Sequence, residues 1–189
     1  LVRVASEEDA GKILWDDRPY DADGLITNVP NLPLFAYGTD CCVITLYDPT
    51  SRSIGAVHAG WRGTASGIAL KAAVSMMSCY GADPYTLRAA IGPSIGKCCF
   101  ETDSDVADAF FALLDPAMDE RIEKRGDKYH IDLKAINRLW LLRAGIDPSR
   151  IDVPPDCTKC HPERYWSHRA MGDQRGGMAA MICLTEDAL

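Results

Sequence analysis

The stretch TDCCVITLYDPTSRSIGAVHAGWRGT, residues 39–64, decides the fold. Two mainly apolar runs flank a turn signal at Asp48-Pro49, so the stretch predicts two neighbouring strands joined by a tight turn. Such a turn brings the outer ends of both strands together, with Cys41 at the start of the first strand and His58 at the end of the second. A thiol and an imidazole at one sheet edge suit zinc binding or nucleophilic catalysis, and both residue types also occur as plain packing.

The residues that follow His58 add features of a ligand site. Gly60 and Gly63 allow the backbone to come close to a ligand, and Arg62 offers a planar cationic group suited to phosphate or carboxylate. The pattern predicts a strand, a turn and then a helix, and such junctions expose N–H groups at the rim of a sheet. The alternative to a ligand-binding role is that His58 is a core histidine packed at the end of a strand.

Strand and helix patterns interleave along the rest of the chain without strict alternation. This favours an α+β layered sandwich over a doubly wound sheet, and no linker or repeat divides residues 1–189, so we expect a single domain. The strand patterns cover residues 1–5, 24–28, 41–47, 53–57, 87–91, 129–133, 165–168 and 177–184, and the helix patterns cover residues 66–80, 103–114 and 133–144.

The composition excludes several classes of protein. The net charge is −7 and the pI is near 5.0, which argues against a duplex-DNA binder or a polybasic membrane anchor, since both need a face of Lys and Arg. Apolar runs stop short of the roughly 20 residues that span a bilayer, and the first residues lack the order of a signal peptide. We therefore expect a cytoplasmic protein with no nucleic-acid or membrane partner.

Eight cysteines are present, and most are expected to be packing residues. The segment CTKCH, residues 157–161, matches the pattern of c-type haem attachment, but the expected compartment argues against haem. A zinc knuckle of Cys157, Cys160 and His161 with a thiol from elsewhere is more plausible, and packing in a turn is favoured over both. In AAIGPSIGKCCFE, residues 89–101, a turn at Gly92-Pro93-Ser94 offers a weak signal for anion binding.

Together these motifs resemble the YfiH-like family, also known as the laccase-domain or multicopper polyphenol oxidoreductase family. The matching segments follow the family's order and are DGLITNVPNLPL, TDCCVITLYDP, GAVHAGWRGT, AAIGPSIGKCCFE, KYHIDL and CTKCHPERYWSHR followed by GGMAAMI. The resemblance implies a four-layer αββα sandwich with mixed sheets. It also implies phosphorolysis of adenosine, inosine and methylthioadenosine and deamination of adenosine, whereas the older name rests on oxidation of phenols.

The resemblance also assigns residues. The family's cysteine ligand falls on Cys41 and one histidine ligand on His58, while the other histidine belongs to a Gln-Val-His-Gly motif expected upstream of Leu1. The domain is therefore expected to be incomplete at its N-terminus. The resemblance implies that the metal is zinc, with copper as the alternative. Asp40 is a candidate proton carrier beside it, and the expected substrate contacts, with purine nucleosides and phosphate, are Arg62, Gly63, Ser94 and Arg169.

Two other functions use the same residues. One is a metal-free hydrolase of an amide or cell-wall peptide, with Cys41 as nucleophile and His58 as base. The other is a catalytically silent nucleoside-binding protein. Metal content and the alkylation rate of Cys41 distinguish the first from a zinc enzyme.

Overall fold

The computed structural model describes residues 1–10 and 22–186 of the chain. Its strands are β1 (Val2–Val4), β2 (Gly24–Thr27), β3 (Leu34–Gly38), β4 (Cys42–Asp48), β5 (Ser53–Ala59), β6 (Arg88–Ile91), β7 (Glu101–Thr102), β8 (Ile122–Arg125), β9 (Lys128–Ile131), β10 (Ile151–Asp152) and β11 (Met178–Ile182). Its α-helices are α1 (Trp61–Ala65), α2 (Ile68–Tyr80), α3 (Ser104–Phe111), α4 (Pro116–Asp119), α5 (Leu133–Arg143) and α6 (His168–Met171). Short 3-10 helices lie at Glu7–Asp9, Pro148–Arg150 and Gly172–Gln174.

A six-stranded mixed sheet in the order β1-β2-β5-β4-β6-β10 forms the centre. The outer pairs β1/β2 and β6/β10 are parallel, and the inner pairs are antiparallel. Two further sheets are described, β11-β3 and β7-β9-β8. This mixed α and β architecture with mixed sheets confirms the predicted fold class, while the four-layer αββα arrangement stays a prediction.

The two faces of β4 and β5 pack against different partners, because successive side chains of a strand point to opposite faces. Ile44 and Val57 belong to the core that is shared with α2. Val43 and Ile54 point the other way and pack in the core formed with β3 and β11. The hairpin is therefore covered on both sides, which explains its almost continuous apolar sequence.

The connection from β5 into the helices is fixed by a buried polar contact. Thr64 is completely buried in α1, where its hydroxyl accepts a hydrogen bond from the Asn137 amide and its carbonyl accepts one from the Trp140 indole. Gly67 then separates α1 from α2 with a φ of 72°, a left-handed conformation that glycine adopts without strain. These contacts hold the residues after His58 against α5.

The predicted strand at residues 165–168 is wrong. The Tyr165 N–H donates to the His161 carbonyl in a turn, and the hydroxyl of Ser167 accepts from the Ala170 N–H at the start of α6. Local turn and cap bonds thus satisfy this segment's backbone in place of a strand partner. Several short elements were also not predicted from the sequence, namely α1, α4, α6, β3, β7, β8 and β10.

Among the described residues, no helix is both long enough and apolar enough to cross a membrane.

Candidate metal and nucleoside site

The hairpin of β4 and β5 brings Cys41 and His58 to the same end of the central sheet. Cys42 pairs with Ala59 and Val43 with His58, so Cys41 directly precedes the strand that lies beside His58. Their Sγ and Nε2 atoms lie 3.3 Å and 3.5 Å from the point where a Cβ on Gly60 would sit. Both atoms therefore face one small volume above Gly60, which a side chain at this position would crowd. This is the arrangement that the spacing of the two strands predicts.

Asp23 supports His58 from behind and was missed by the sequence analysis. Its Oδ1 lies 3.6 Å from His58 Nδ1, and its carbonyl accepts the His58 backbone N–H. A carboxylate on this side of the imidazole leaves the other ring nitrogen available for a metal. The only sequence signal for Asp23 is its position before the β2 strand that pairs with β5.

Asp40 is held in place by two hydrogen bonds. The Thr158 hydroxyl donates to one carboxylate oxygen at 2.5 Å, and the Arg169 N–H donates to the other at 2.7 Å. The residue is 8% exposed and adopts a φ of 71°, a conformation that Asp tolerates better than most residues. Its carboxylate thus joins the residues directly before β4, which include Cys41, to the segment that carries Thr158 and Arg169.

A cleft of about 270 Å³ opens beside Cys41. This volume lies just below the range of roughly 300–1,000 Å³ that is usual for small-molecule pockets. Its walls combine aromatic and aliphatic side chains with a thiol, a histidine and two arginines: Thr39, Asp40, Cys41, Trp61, Ile95, Phe100, Leu133, His168, Arg169 and Arg175. A flat aromatic base and an anionic group are the ligands that such walls suit.

The predicted substrate residues occupy different environments. Arg169 lines the cleft, and its guanidinium donates to the Glu101 carbonyl at 2.8 Å. Arg62 is exposed and stacks on the Trp61 ring at 4.1 Å, outside the lining of the cleft. Gly63 packs against Ile68, and Ser94 is completely buried, with its hydroxyl accepting from the Cys42 thiol. These positions favour Arg169 as a substrate contact and do not favour Gly63 or Ser94. Arg62 lies outside the cleft, against Trp61, which is part of its wall.

The electrostatics of Cys41 distinguish a metal ligand from a free nucleophile. Burial raises the pKa of the Cys41 thiol, and the neighbouring Asp40 carboxylate raises it further. Without a nearby cation the residue therefore stays a neutral thiol at pH 7, and a neutral thiol is a poor nucleophile. One thiol and one imidazole directed at a common volume fit zinc, which supplies the positive charge that a thiolate needs.

A second thiol cluster lies in the loops behind the cleft. The Sγ atoms of Cys98, Cys99, Cys157 and Cys160 lie within 4.8 Å of one another, and such a group could hold a metal ion. His161, which the sequence analysis placed in a zinc knuckle with Cys157 and Cys160, is not part of this group, and its Nδ1 lies 3.3 Å from Glu163 Oε1. This cluster was not predicted from the sequence, because it brings together two segments that are about 60 residues apart.

A larger hollow of about 450 Å³ lies at the other edge of the central sheet. It is bounded by β6, β10 and the residues before β10: Arg88, Ala89, Ser149, Arg150, Ile151 and Asp152. This lining offers neither a thiol nor an imidazole, unlike the region around Cys41 and His58.

The chain is similar to curated proteins over most of its length. Residues 2–185 match the family model of the multi-copper polyphenol oxidoreductase laccases. The chain is 33% identical over 178 residues to the mouse purine nucleoside phosphorylase LACC1, with 92% of this chain and 41% of that protein covered. It is 37% identical over 158 residues to the adenosine deaminase RL5 of an unknown prokaryotic organism, with 82% and 59% covered.

A solved structure is also similar to this chain in its fold. The Bacillus licheniformis protein YfiH matches with a TM-score of 0.92 and 34% identity, covering 98% of this chain and 70% of that one. The chain spans about two fifths to three fifths of the curated relatives named above. These similarities confirm the family to which the motifs pointed, and the chain belongs to the multi-copper polyphenol oxidoreductase laccase family.

Proposed function

We propose that the chain acts on purine nucleosides, with phosphorolysis of adenosine, inosine and methylthioadenosine and deamination of adenosine as its reactions. The observation that carries this proposal is the convergence of Cys41 Sγ and His58 Nε2 beside a cleft that contains an aromatic ring and two arginines. The names of the relatives, a purine nucleoside phosphorylase and an adenosine deaminase, support it.

Zinc, with copper as the alternative, is the proposed cofactor at Cys41 and His58. A bound zinc ion would supply Lewis-acid chemistry, which activates water and polarises oxygen and nitrogen groups of a substrate. The proposed third ligand is a histidine upstream of Leu1. Asp23 holds the His58 ring, and Asp40 holds the turn that carries Cys41.

Different residues of the cleft are proposed to contact the purine and the phosphate. Trp61 and Phe100 offer apolar surface for the purine, and Arg169 and Arg175 offer positive charge for phosphate. In phosphorolysis a phosphate oxygen forms a bond to the ribose C1′ while the bond from C1′ to the base nitrogen breaks, and the base takes up a proton. Asp40 is the proposed proton carrier, and Arg62 is a further proposed phosphate contact from the rim.

A metal-free cysteine hydrolase is disfavoured by the Cys41 thiol itself, since burial and Asp40 both raise its pKa. The placement of Asp23 beside His58 Nδ1 is compatible with either function, so the pKa of the Cys41 thiol is what separates them. We therefore retain the zinc-dependent nucleoside enzyme as the single proposal.

The test uses the zinc-loaded chain and adenosine, with and without phosphate, and follows the products by chromatography. We expect adenine and ribose 1-phosphate with phosphate present, and inosine and ammonia without it. Cys41→Ala should abolish both reactions, whereas Cys79→Ser, at an exposed cysteine outside the site, should retain them. Turnover by Cys41→Ala at the wild-type rate would refute the proposed site.

The third ligand is tested by a chain extended upstream of Leu1 with a Gln-Val-His-Gly segment. Because each added ligand increases zinc affinity, we expect the extended chain to bind zinc more tightly and to turn over adenosine faster. The two chains are compared at equal zinc. Equal affinity and equal turnover would show that the third ligand comes from within residues 1–189, with His130 and His161 the first to substitute.

A further inference from the structure

The four-cysteine cluster, formed by Cys98, Cys99, Cys157 and Cys160, has the dimensions of a metal site. The Sγ atoms of Cys98 and Cys160 are 3.7 Å apart, and those of Cys99 and Cys160 are 3.5 Å apart. Zinc binds thiolates at about 2.3 Å in a tetrahedron, which sets neighbouring sulfurs about 3.8 Å apart. A disulfide needs about 2.05 Å between sulfurs. Both distances match thiols that share one ion rather than a bonded pair, and all four sulfur atoms lie within 4.8 Å of one another.

The surrounding backbone is shaped for this cluster. The Gly96 N–H donates to Cys157 Sγ at 3.2 Å, a contact that stabilises a thiolate. A Cβ on Gly96 would lie 3.2 Å from both Cys98 Sγ and Cys157 Cβ, so a side chain at this position would crowd the group. Cys157 is 6% exposed, whereas Cys98 and Cys160 lie at the surface, which gives an ion a path to the cluster.

We propose that this cluster is a structural zinc site that joins the loop of residues 92–100 to the segment of residues 157–169. Four protein ligands leave zinc no open position, which is the property of structural rather than catalytic sites. The spacing of Cys157 and Cys160 is the two-residue separation common in zinc knuckles, and the adjacent Cys98 and Cys99 complete the set.

The position of the cluster between two walls of the cleft indicates the role of the proposed zinc site. The first loop contributes Ile95 and Phe100 to the cleft, and the second segment contributes His168 and Arg169. Ser94 and Cys157 form a parallel β-bridge directly beside the cluster, and Thr158 holds the Asp40 carboxylate. The zinc ion would therefore fix two walls of the cleft relative to each other, without contact with the substrate.

This inference stands whether or not the chain acts on nucleosides, because it depends only on the four thiols. The test measures zinc bound to protein that is prepared with reductant and reconstituted with zinc alone. The His58→Ala chain removes one ligand of the other proposed site, and we expect it to keep about one equivalent of zinc. Adding Cys98→Ser and Cys160→Ser should remove that equivalent, whereas adding Cys79→Ser and Cys183→Ser, outside the cluster, should not.

Cobalt identifies the ligands. In place of zinc, Co²⁺ in the His58→Ala chain should show the sulfur-to-cobalt charge-transfer band and the intense visible bands of a tetrahedral thiolate site. Both should disappear in the chain that also carries Cys98→Ser and Cys160→Ser. Zinc and cobalt binding that is unchanged by these two substitutions would overturn the proposal.

A further measurement needs no substitution and so does not depend on the folding of a variant. N-ethylmaleimide should alkylate Cys79 of the zinc-loaded chain at once, and the four cluster cysteines only after a chelator is added. Peptide mass mapping reads out each position. Equal alkylation before and after the chelator, or a Cys98–Cys160 disulfide that persists under reductant, would overturn the proposal.

Discussion

The two thiol regions of the molecule are built in opposite ways. The site at Cys41 and His58 comes from one hairpin, so neighbouring strands of a buried sheet bring its side chains together. The four-cysteine cluster comes from two loops about 60 residues apart, at positions where the chain has no long element. The first region offers two ligands beside an open cleft, and the second offers four ligands, which would leave a zinc ion no open coordination position.

On the two proposed assignments, the fold keeps a catalytic metal site apart from a structural one. A catalytic metal needs an open coordination position, and its ligands need a rigid base, which the hairpin supplies. A structural metal needs a full set of ligands and is most useful where secondary structure is sparse. Asp40 connects the two regions, because it precedes Cys41 and binds the residue after Cys157.

The largest effect is expected for His58→Ala. Loss of a metal ligand should reduce nucleoside turnover by more than about a hundredfold, since even partners of ligands cost 10–100-fold. The melting temperature should change little, because His58 lies at the partly exposed end of the hairpin. Turnover rates and thermal denaturation measure the two effects.

The contrasting variant is Cys98→Ser with Cys160→Ser. It should lower the melting temperature more than His58→Ala does and reduce turnover less. If both variants changed the melting temperature and the turnover rate to the same extent, the assignment of one catalytic and one structural site would be wrong.

The next effect concerns the arginines around the open cleft. If Arg62 or Arg169 binds phosphate, its substitution by Ala should slow phosphorolysis about ten- to a hundredfold more than deamination, because a charged hydrogen bond contributes about 1.5–3 kcal/mol. Only phosphorolysis uses phosphate. The position of Arg169 in the cleft predicts the larger loss for Arg169→Ala. Equal losses in both reactions would mark the residue as structural.

The open site could be predicted from sequence to a much greater extent than the closed one. The turn at Asp48-Pro49 and the two apolar runs were sufficient to place Cys41 near His58, because strand pairing is local here. The partnership of Cys98 and Cys99 with Cys157 and Cys160 depends on long-range packing, which no local pattern records. For the same reason the approach of Asp23 to His58 could not be predicted, since it follows from the pairing of β2 with β5.

A smaller effect is expected for Asp40→Asn, which tests the connection between the regions. Asn tolerates the left-handed backbone and still accepts one hydrogen bond, so we expect a loss of about 1–2 kcal/mol in the free energy of unfolding. Thr158→Val is the matched control, since it removes one of the same bonds and leaves the charge. If Asp40 is also the proton carrier, Asp40→Asn should reduce turnover far more than Thr158→Val does.

The smallest effect is expected at Asp48, at the far end of the same hairpin. Burial raises the pKa of this carboxyl, but hydrogen bonds from the hydroxyls of Thr86 and Ser51 and the N–H groups of Ser51 and Asp83 outweigh it and lower the pKa below the usual 3.8. The ionised form is therefore favoured by folding, and its contribution to stability is complete well above pH 3.8 and is lost as the pH falls through the lower native pKa.

Asp48→Asn should consequently lower the free energy of unfolding at pH 7 by about 1 kcal/mol, and the difference from wild type should shrink as the pH falls below 3.8. Chemical denaturation across this range measures it. Because Asp48 lies at the opposite end of β4 from Cys41, zinc content at both thiol regions and turnover per folded molecule should stay unchanged. A loss of zinc or turnover in this variant would show that the hairpin transmits strain along its length, and the two regions would then not be independent.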